Sequence, residues 1–293
     1  MSVAMGLDAP VQRADIAGLG IEYDLRVLRP RPWTAEQGHW AAELAATLPP
    51  GPILELCCGA GHIGLVAARS SGRSLVQVDR DPVAAAYARR NAAAAGMTSE
   101  VRCGSLEDAL ADDELFGVVI ADPPWLRSAE VGRFPEDPLG AIDGGVDGCE
   151  VVRSCLDVGL AHLVPEGHLI LQVGDTAQLD AVTDYVARTA PDHTITGVRD
   201  FRVGQPGAGA HTTIGGILVD IGPNDPKPEQ DRDGQDPEGQ DGQVSEVSNL
   251  DDAGTALTPG DSVAGHPADR RVQEGETGPN AVTGNQDQEG APR

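Results

Sequence analysis

A glycine-rich turn between an apolar run and a helix signal is the first segment whose residue types suggest a bound ligand. It reads Glu55-Leu56-Cys57-Cys58-Gly59-Ala60-Gly61 and follows the apolar run Ile53–Leu56. Glycines let the backbone turn sharply and approach a ligand closely. The helix that follows presents free amide groups to a polar ligand. Because Gly59, Gly61 and Gly64 spell only GxGxxG, this turn alone also fits a nicotinamide dinucleotide.

Two acidic residues near the turn favour a different ligand. Glu55 stands at the end of the strand, where a carboxylate repels a pyrophosphate but attracts a cationic sulfonium amino acid. Asp79 ends the second apolar run, about 20 residues further on, where an acid can accept hydrogen bonds from both hydroxyls of a ribose. The alternative role of Asp79 is to cap the next helix, which Asp81 can equally do. Together the two acids predict S-adenosylmethionine as the cofactor.

A second chemical signal is Asp122-Pro123-Pro124-Trp125, directly after the apolar strand Phe116–Ala121. In a doubly wound sheet this fourth strand lies beside the first, so its end faces the same crevice as the glycine turn. The prolines remove two amide donors and leave carbonyls and the Asp122 carboxylate as acceptors. Those acceptors suit a planar NH2 group, and Trp125 offers a flat surface for stacking a base or an amide. These four residues are therefore the predicted catalytic residues, and a rigid turn with a packed tryptophan is the alternative.

Alternating strand and helix signals must position these residues. Strands are predicted at Ile53–Leu56, Leu75–Val78, Val101–Cys103, Phe116–Ala121, His168–Val173, Thr194–Arg199 and Thr212–Ile221. Helices are predicted to begin at Gly64, Asp81, Glu150 and Ala177, the third of them running to Leu163 with a stop at Pro165. The pattern predicts an α/β, Rossmann-like fold whose seven-stranded, mostly parallel sheet has helices on both faces and ends in a hairpin-like pair.

Composition divides the chain into three segments. Residues 1–50 form an N-terminal segment that includes a cofactor-closing region, and residues 51–221 form the cofactor-binding domain. Residues 222–293 contain sixteen acidic and five basic side chains and lack Phe, Trp, Tyr and Cys, which predicts a disordered acidic tail. The net charge of −25 disfavours broad attraction to nucleic acid.

Cysteine usage and hydropathy indicate the cellular compartment of the chain. None of the five cysteines forms a metal-binding pattern, so no metal is predicted, and their odd number suits reduced thiols in the cytoplasm. No apolar run reaches the length of a membrane span, which predicts no membrane partner. The pattern specifies no oligomeric state.

Four segments resemble the HemK-type family, the release-factor glutamine methyltransferases, within the class I S-adenosylmethionine methyltransferases. Pro30-Arg31-Pro32-Trp33-Thr34 resembles the family's Pro-Arg-Pro-x-Thr segment, and Glu55–Gly61 resembles its first glycine motif. Asp122–Trp125 resembles its Asn-Pro-Pro-Tyr motif. Gly144-Gly145-Val146-Asp147-Gly148 resembles the Gly-Gly-x-Asp-Gly pattern that follows. The resemblance covers about Leu28 to Ile221.

The resemblance implies roles for individual residues. Glu55, Cys57, Gly59 and Gly61 correspond to the segment that holds the methionine part of the cofactor, and Asp79 to the ribose ligand. Ser105 and Leu106 fall at the adenine, and Thr34 lies in the segment that closes over the cofactor. Asp122, Pro123 and Trp125 correspond to the residues that hold the acceptor, with Asp122 next to the cofactor. Cys57, Ser105, Asp122 and Trp125 depart from the usual Gly, acid, Asn and Tyr.

The predicted reaction is methyl transfer to a planar NH2 nitrogen, most simply the side-chain amide of a glutamine in a protein. A nucleobase amino group, adenine N6 or guanine N2, is the alternative, because Asp-Pro-Pro-Trp is similar to motifs in those enzymes. Only about 28 residues precede the Pro-Arg-Pro segment, where the release-factor enzymes carry a helical substrate domain. A nicotinamide-dependent oxidoreductase and a non-catalytic cofactor- or partner-binding module are alternatives of other classes.

Overall fold

Strands and helices alternate along most of the chain in the computed structural model, which describes residues 10–201, 203–204, 213–214 and 216–224. In chain order the strands are β1 Gln12–Ile16, β2 Leu19–Tyr23, β3 Ile53–Leu56, β4 Leu75–Asp79, β5 Ser99–Cys103, β6 Phe116–Ala121, β7 Leu163–Val173, β8 His193–Asp200, β9 Val203–Gly204, β10 Thr213–Ile214 and β11 Ile217–Pro223. The α-helices are α1 Ala35–Ala45, α2 His62–Ser71, α3 Pro82–Ala94, α4 Leu139–Ile142, α5 Glu150–Ala161 and α6 Thr176–Thr189.

The central sheet has seven strands in the order β5-β4-β3-β6-β7-β11-β8. The strands from β5 to β7 are parallel, and β11 runs antiparallel to both β7 and β8. The predicted mostly parallel sheet of seven strands is confirmed, as is the position of the fourth predicted strand, β6, beside the first, β3. The last two predicted strands do pair, but β11 inserts between β7 and β8 rather than adding at the edge.

Helices cover both faces of this sheet because its central strands are apolar on both sides. Every residue of β3 and β6 is buried. Alternate side chains of β3 enter two separate clusters: Ile53 packs with α1, α2, α3 and the β1–β2 hairpin, and Leu54 packs with α5 and α6. A continuous apolar run therefore gives a strand buried on both faces, as expected in parallel sheets.

Helix ends beside the sheet follow local capping chemistry. Asp81 caps α3 through a 2.8 Å hydrogen bond that its carboxylate accepts from the Val83 amide, and Pro82 occupies the first turn. Asp81 therefore fills the capping role that was the alternative for Asp79. Gly61 precedes α2 with a φ of +82°, a left-handed conformation that side chains rarely adopt.

The prediction that Pro165 stops the α5 helix is wrong, because α5 ends at Ala161 and Pro165 lies within β7. The pairing of β7 with β6 is irregular here, since Phe116 faces Leu163 but Val118 faces His168. A bulge of this kind can hold a proline, which has no amide to donate to a ladder.

Strands and a helix also lie in the predicted N-terminal segment and at the end of the predicted domain. The N-terminal segment contains the unpredicted β1–β2 hairpin and α1, whose side chains contribute to the core. The strand β11 passes the predicted boundary at Ile221, because Gly222 and Pro223 still pair with Thr194 and His193. From residue 225 onward, the predicted disordered tail lies outside the described residues. Within the described part of the chain, no helix is long and apolar enough to cross a membrane.

Candidate functional site

A cavity of about 700 Å³ opens where the carboxyl ends of β3, β4, β5 and β6 meet. It brings together most of the residues predicted to bind ligand. Those that line it are Thr34, Cys57, Gly59, Asp79, Ser105, Leu106, Asp122 and Pro124. Four other predicted site residues are not part of its wall, namely Glu55, Gly61, Pro123 and Trp125.

The glycine turn after β3 forms one wall of the cavity through an unusual backbone. Cys57, Gly59 and Gly61 all have positive φ, of 56°, 53° and 82°. A Cβ at Gly59 would meet nothing within 4 Å, so the turn is open on that side. A Cβ at Gly61 would contact Gln77, so this glycine is required by packing as well as by conformation. The turn is therefore open at Gly59 and tightly packed against β4 at Gly61.

Glu55 lies on that underside and is buried. Its carboxylate accepts a 2.6 Å hydrogen bond from the Gln77 side chain, and the Gly64 amide also donates to it. Burial raises the pKa of Glu55 to about 8, with these hydrogen bonds opposing the shift. Both neighbours that hold the Glu55 carboxylate belong to the protein, and its role towards a cationic ligand stays a prediction.

Asp79 lies on the cavity wall and shapes the turn from the side. Its two carboxylate oxygens accept hydrogen bonds from the amides of Gly59, at 2.7 Å, and Asp81, at 2.8 Å. A carboxylate has about four lone-pair sites, so these bonds leave acceptor capacity for a ligand hydroxyl. Burial raises the pKa of Asp79, and the two backbone hydrogen bonds oppose that shift.

Ser105 and Leu106 follow β5 on another wall of the cavity. The Ser105 hydroxyl donates a 2.7 Å hydrogen bond to Asp108 and accepts one from the Asp108 amide at 3.2 Å. Both hydrogen bonds of this hydroxyl are therefore made within its own loop. Leu106 packs with Cys57 and Val151 against the core, which makes this wall apolar.

Asp122 follows the strand β6 and lies on the cavity wall, with no partner among the described residues. Within the described residues, no group donates a hydrogen bond to its carboxylate and no cation pairs with it. Burial raises the pKa of Asp122 to about 7. An unpaired, partly desolvated carboxylate at a cavity is typical of a functional group, because structural carboxylates are normally hydrogen-bonded.

Trp125 packs away from the cavity. A Cβ at Gly174 would collide with its indole ring, and the Trp125 carbonyl accepts a 2.7 Å hydrogen bond from Gln178. Pro123 is buried behind the wall. The stacking surface expected at Trp125 is thus turned towards the segment after β7, whose Gly174 leaves room for the ring.

The Gly-Gly-Val-Asp-Gly segment supports the acceptor loop from outside. A Cβ at Gly144 would lie 2.7 Å from the Pro124 carbonyl oxygen, and one at Gly148 would lie 2.5 Å from that of Trp125. These glycines let the two backbones touch directly. The segment therefore sets the position of the Asp-Pro-Pro-Trp backbone, a contact that the sequence pattern did not reveal.

Two polar side chains near the carboxyl ends of the strands were not predicted. His62 begins α2 and lines the cavity, with its Nε2 2.8 Å from the Thr34 hydroxyl. Gln37 of α1 is buried and donates hydrogen bonds to the carbonyls of Ala121 and Ile170, at 2.9 and 3.0 Å. A lone histidine and a helical glutamine carry no sequence signal of their own.

The part of the chain that the structure describes contains no cluster of metal-binding side chains.

Comparison with known proteins shows which family this chain belongs to. Residues 41–133 match the family described as methyltransferase small domain. A release factor glutamine methyltransferase of Gloeobacter violaceus is 30% identical over 206 residues, which cover 68% of this chain and 71% of that enzyme. The chain belongs to the release factor glutamine methyltransferase family. The predicted class I S-adenosylmethionine-dependent methyltransferase is confirmed, and the nicotinamide alternative is not supported.

Other members and neighbours of this methyltransferase family cover different shares of the chain. A ribosomal protein uL3 glutamine methyltransferase of Bradyrhizobium diazoefficiens is 31% identical over 184 residues, covering 58% of this chain. The match spans 57% of that enzyme, little more than half of its length. The hMettl16 catalytic domain, solved in complex with a MAT2A 3'UTR hairpin, has a TM-score of 0.55 at 17% identity over 71% of this chain and 76% of its own. That likeness confirms the Rossmann-like methyltransferase fold.

Proposed function

We propose that this methyltransferase transfers a methyl group from S-adenosylmethionine to the side-chain amide nitrogen of a glutamine in a protein. The observation that carries the proposal is the unpaired Asp122 carboxylate on the wall of the cavity that Gly59 and Asp79 also line. Relatives named as release factor and uL3 glutamine methyltransferases support a glutamine acceptor. The family and the fold imply S-adenosylmethionine, which supplies an electrophilic methyl group on a sulfonium.

An amide NH2 needs two hydrogen-bond acceptors at the place where it attacks. The Asp122 carboxylate on the cavity wall provides one, and a backbone carbonyl of the Pro123-Pro124 turn provides the other. Hydrogen bonds from both hydrogens fix the plane of the amide, so that its nitrogen faces the methyl group. The negative charge of Asp122 also stabilises the positive charge that develops on the nitrogen.

The cofactor part of the proposal assigns the remaining wall residues. The open turn at Cys57 and Gly59, shaped by Gly61, receives the methionine part, and Asp79 receives the ribose hydroxyls. The apolar wall at Leu106, with Ser105 at its edge, receives the adenine. Thr34 closes the cavity from the segment before α1. The open side of Gly59 and the spare lone pairs of Asp79 fit a ligand of this shape.

A nucleobase acceptor receives less support from this site. Base recognition commonly uses a stacking ring, but the Trp125 indole packs against Gly174 outside the cavity wall. The net charge of −25 also repels a phosphate backbone. We extend the proposal to a cytoplasmic protein substrate, because all five cysteines are free thiols, as expected in a reducing compartment.

The proposal is tested by transfer of label from methyl-tritiated S-adenosylmethionine to an extract of cells that lack this protein. We expect label that protease releases and nuclease does not, at a residue that mass spectrometry identifies as methylglutamine. The Asp122→Ala variant should lose transfer, and the Asp112→Ala variant, changed at an exposed acid outside the cavity wall, should keep it.

Two results would overturn the proposal. Label released by nuclease would replace the glutamine with a nucleobase amino group. A protein that binds S-adenosylhomocysteine but labels nothing in any fraction would be a non-catalytic module.

A further inference from the structure

Gln178, in the first turn of α6, joins three segments of the chain through its side-chain amide. The residue is buried. Its Oε1 atom accepts a 2.7 Å hydrogen bond from the amide of Gly174, directly after β7. Its Nε2 atom donates to the carbonyl of Trp125, at 2.7 Å, and to that of Gly148, at 3.2 Å. All three partners are backbone groups, so this side chain fixes the path of the chain itself.

Only one orientation of the Gln178 amide satisfies these neighbours. A backbone N–H can only donate and a backbone carbonyl can only accept, so the oxygen faces Gly174 and the nitrogen faces the two carbonyls. Both hydrogens of the NH2 group are then used. Within the described residues, no backbone amide donates to the Trp125 carbonyl, so the hydrogen bond from Gln178 satisfies that carbonyl.

Helix capping alone does not require these two donors. Asp175 is the N-cap of α6 and accepts a 2.9 Å hydrogen bond from the Gln178 amide. In a capping box, the side chain at the position of Gln178 acts only as an acceptor for a backbone amide at the helix start. An ionised glutamate can accept in the same way, but it cannot donate to two carbonyls. The donor side of Gln178 therefore serves Trp125 and Gly148 rather than the helix.

The position of Trp125 affects the acceptor turn because two prolines stiffen the connection. Pro123 and Pro124 each have a fixed φ. Little of a shift at the Trp125 carbonyl can therefore be absorbed before Asp122. A Cβ at Gly174 would collide with the Trp125 ring, so the ring packs on the same residue that donates to the α6 side chain. One side chain thus sets both the backbone and the ring at the end of the turn.

We propose that Gln178 is a positioning residue for methyl transfer, because its amide holds the turn Asp122–Trp125 where Asp122 can receive the acceptor nitrogen. The inference rests on the proposed function, since the place of this turn matters for turnover only if the turn presents the acceptor. Gln178 is not part of the cavity wall, so it acts through the backbone of the turn.

The test compares Gln178→Glu and Gln178→Met with the wild type. The first variant keeps the acceptor that faces Gly174 and loses both donors, and the second loses all three hydrogen bonds. The rate of label transfer from saturating methyl-tritiated S-adenosylmethionine to the extract measures turnover. A shift of about 1 Å in a reacting group can cost about 100-fold, so we expect both variants to lose roughly 10- to 100-fold in this rate. Their affinity for S-adenosylhomocysteine, measured by isothermal titration calorimetry, should stay that of the wild type.

A second readout does not depend on the acceptor. The Leu126 amide, next to the turn, donates to the Ile142 carbonyl, and its hydrogen exchange can be followed by NMR. Exchange there should be faster in both Gln178 variants, because the turn is held less firmly. The control is Val186→Ala, which removes buried apolar surface about two turns further along α6. It should lower the free energy of unfolding and leave label transfer and the exchange of Leu126 unchanged.

Two results would overturn the inference. Wild-type label transfer in Gln178→Glu would show that the residue only caps α6. Loss of S-adenosylhomocysteine binding in step with label transfer would show that it supports the whole domain instead of the turn. A wild-type protein that labels no protein in the extract, while Leu126 still exchanges faster in the Gln178 variants, would overturn the proposed function but not the hold of Gln178 on the turn.

Discussion

Glu55 and Gln77 face each other across the parallel strands β3 and β4 and share a 2.6 Å hydrogen bond beneath the glycine turn. The same Gln77 amide donates to the Gly61 carbonyl at 3.0 Å. Two neighbouring strands thus hold the turn from below through one side-chain amide. The acid beside the turn therefore stabilises the protein part of the site, and its protonation should affect stability before it affects ligand binding.

We predict that Glu55→Gln changes the pH dependence of stability. The folded protein keeps the Glu55 proton up to a pKa of about 8, whereas the unfolded chain releases it near the usual 4.5. Between these values the unfolded state binds fewer protons, so this group lowers the free energy of unfolding as the pH rises. The variant lacks this effect. Its free energy of unfolding should therefore rise relative to that of the wild type by up to about 1.4 kcal/mol per pH unit. Urea unfolding at pH 5, 6.5 and 8 measures the difference, with exposed Glu36→Gln as the control. A constant difference between Glu55→Gln and wild type at all three values would contradict the prediction.

The pKa of about 7 at Asp122 predicts a pH-dependent turnover. Below this value the carboxyl group is protonated and loses the charge that stabilises the transition state, so kcat/KM should rise as the pH increases through 7. Asp122→Asn, which restores the residue that the family motif has here, should remove this rise. Asp122→Ala should lower kcat by about 10²–10³-fold at unchanged affinity for S-adenosylhomocysteine. An Asp122→Asn variant that keeps the wild-type rise would assign it to another group.

We predict that Gly144→Ala lowers turnover without lowering cofactor affinity. Its new Cβ would lie 2.7 Å from the Pro124 carbonyl oxygen and 2.9 Å from the Trp125 Cα, so the acceptor loop must move. A shift of about 1 Å in a reacting group can cost about 100-fold in rate. Steady-state kinetics and S-adenosylhomocysteine binding separate the two effects. Gly132→Ala is the matched control, since a Cβ there meets nothing within 4 Å. Equal kinetics in the two variants would contradict a supporting role for Gly144.

The left-handed backbone of Cys57 predicts an unusual order of stabilities. Its φ of +56° disfavours any side chain, and its thiol touches that of Cys155 at a sulfur–sulfur distance of 3.7 Å. Cys57→Gly and Cys57→Ala both remove this contact, so the difference between them reports the backbone alone. The glycine variant should be more stable by about 1 kcal/mol in urea unfolding. At exposed Ser128, where φ is not positive, the same pair should show the reverse order. If Cys57→Ala were more stable than Cys57→Gly, the backbone at position 57 would not be strained.

The sheet could be predicted because its strands carry long apolar runs, and the hairpin could not. The apolar run Phe116–Ala121 is buried throughout, and its sequence predicts a buried strand. The strands β1 and β2 have short, mixed sequences, Gln-Arg-Ala-Asp-Ile and Leu-Gly-Ile-Glu-Tyr. Their place depends on Asn91, which donates to the carbonyls of Glu22 and Ala60 at 2.9 Å each. Contacts between residues about 70 positions apart leave no local pattern to read.

The site could be predicted as a set of segments, but not side chain by side chain. The turns at Gly59 and Asp122 do line one cavity, as the ends of neighbouring parallel strands must. Which way Glu55 and Trp125 point depends on Gln77, Gly174 and Gln178, which come from other parts of the chain. The position of the His62 ring depends on the hydroxyl of Thr34 in the same way.

The insertion of β11 between β7 and β8 affects how the domain can assemble during synthesis. Residues 193–200 leave the ribosome before their neighbour in the sheet has been made, because β8 pairs only with β11 among the described strands. Until residue 217 and its successors emerge, the edge of β7 that later binds β11 stays uncovered, and such an edge can pair with other chains. A chain that stops early therefore loses two strands instead of one, and the open edge of β7 adds a risk of aggregation.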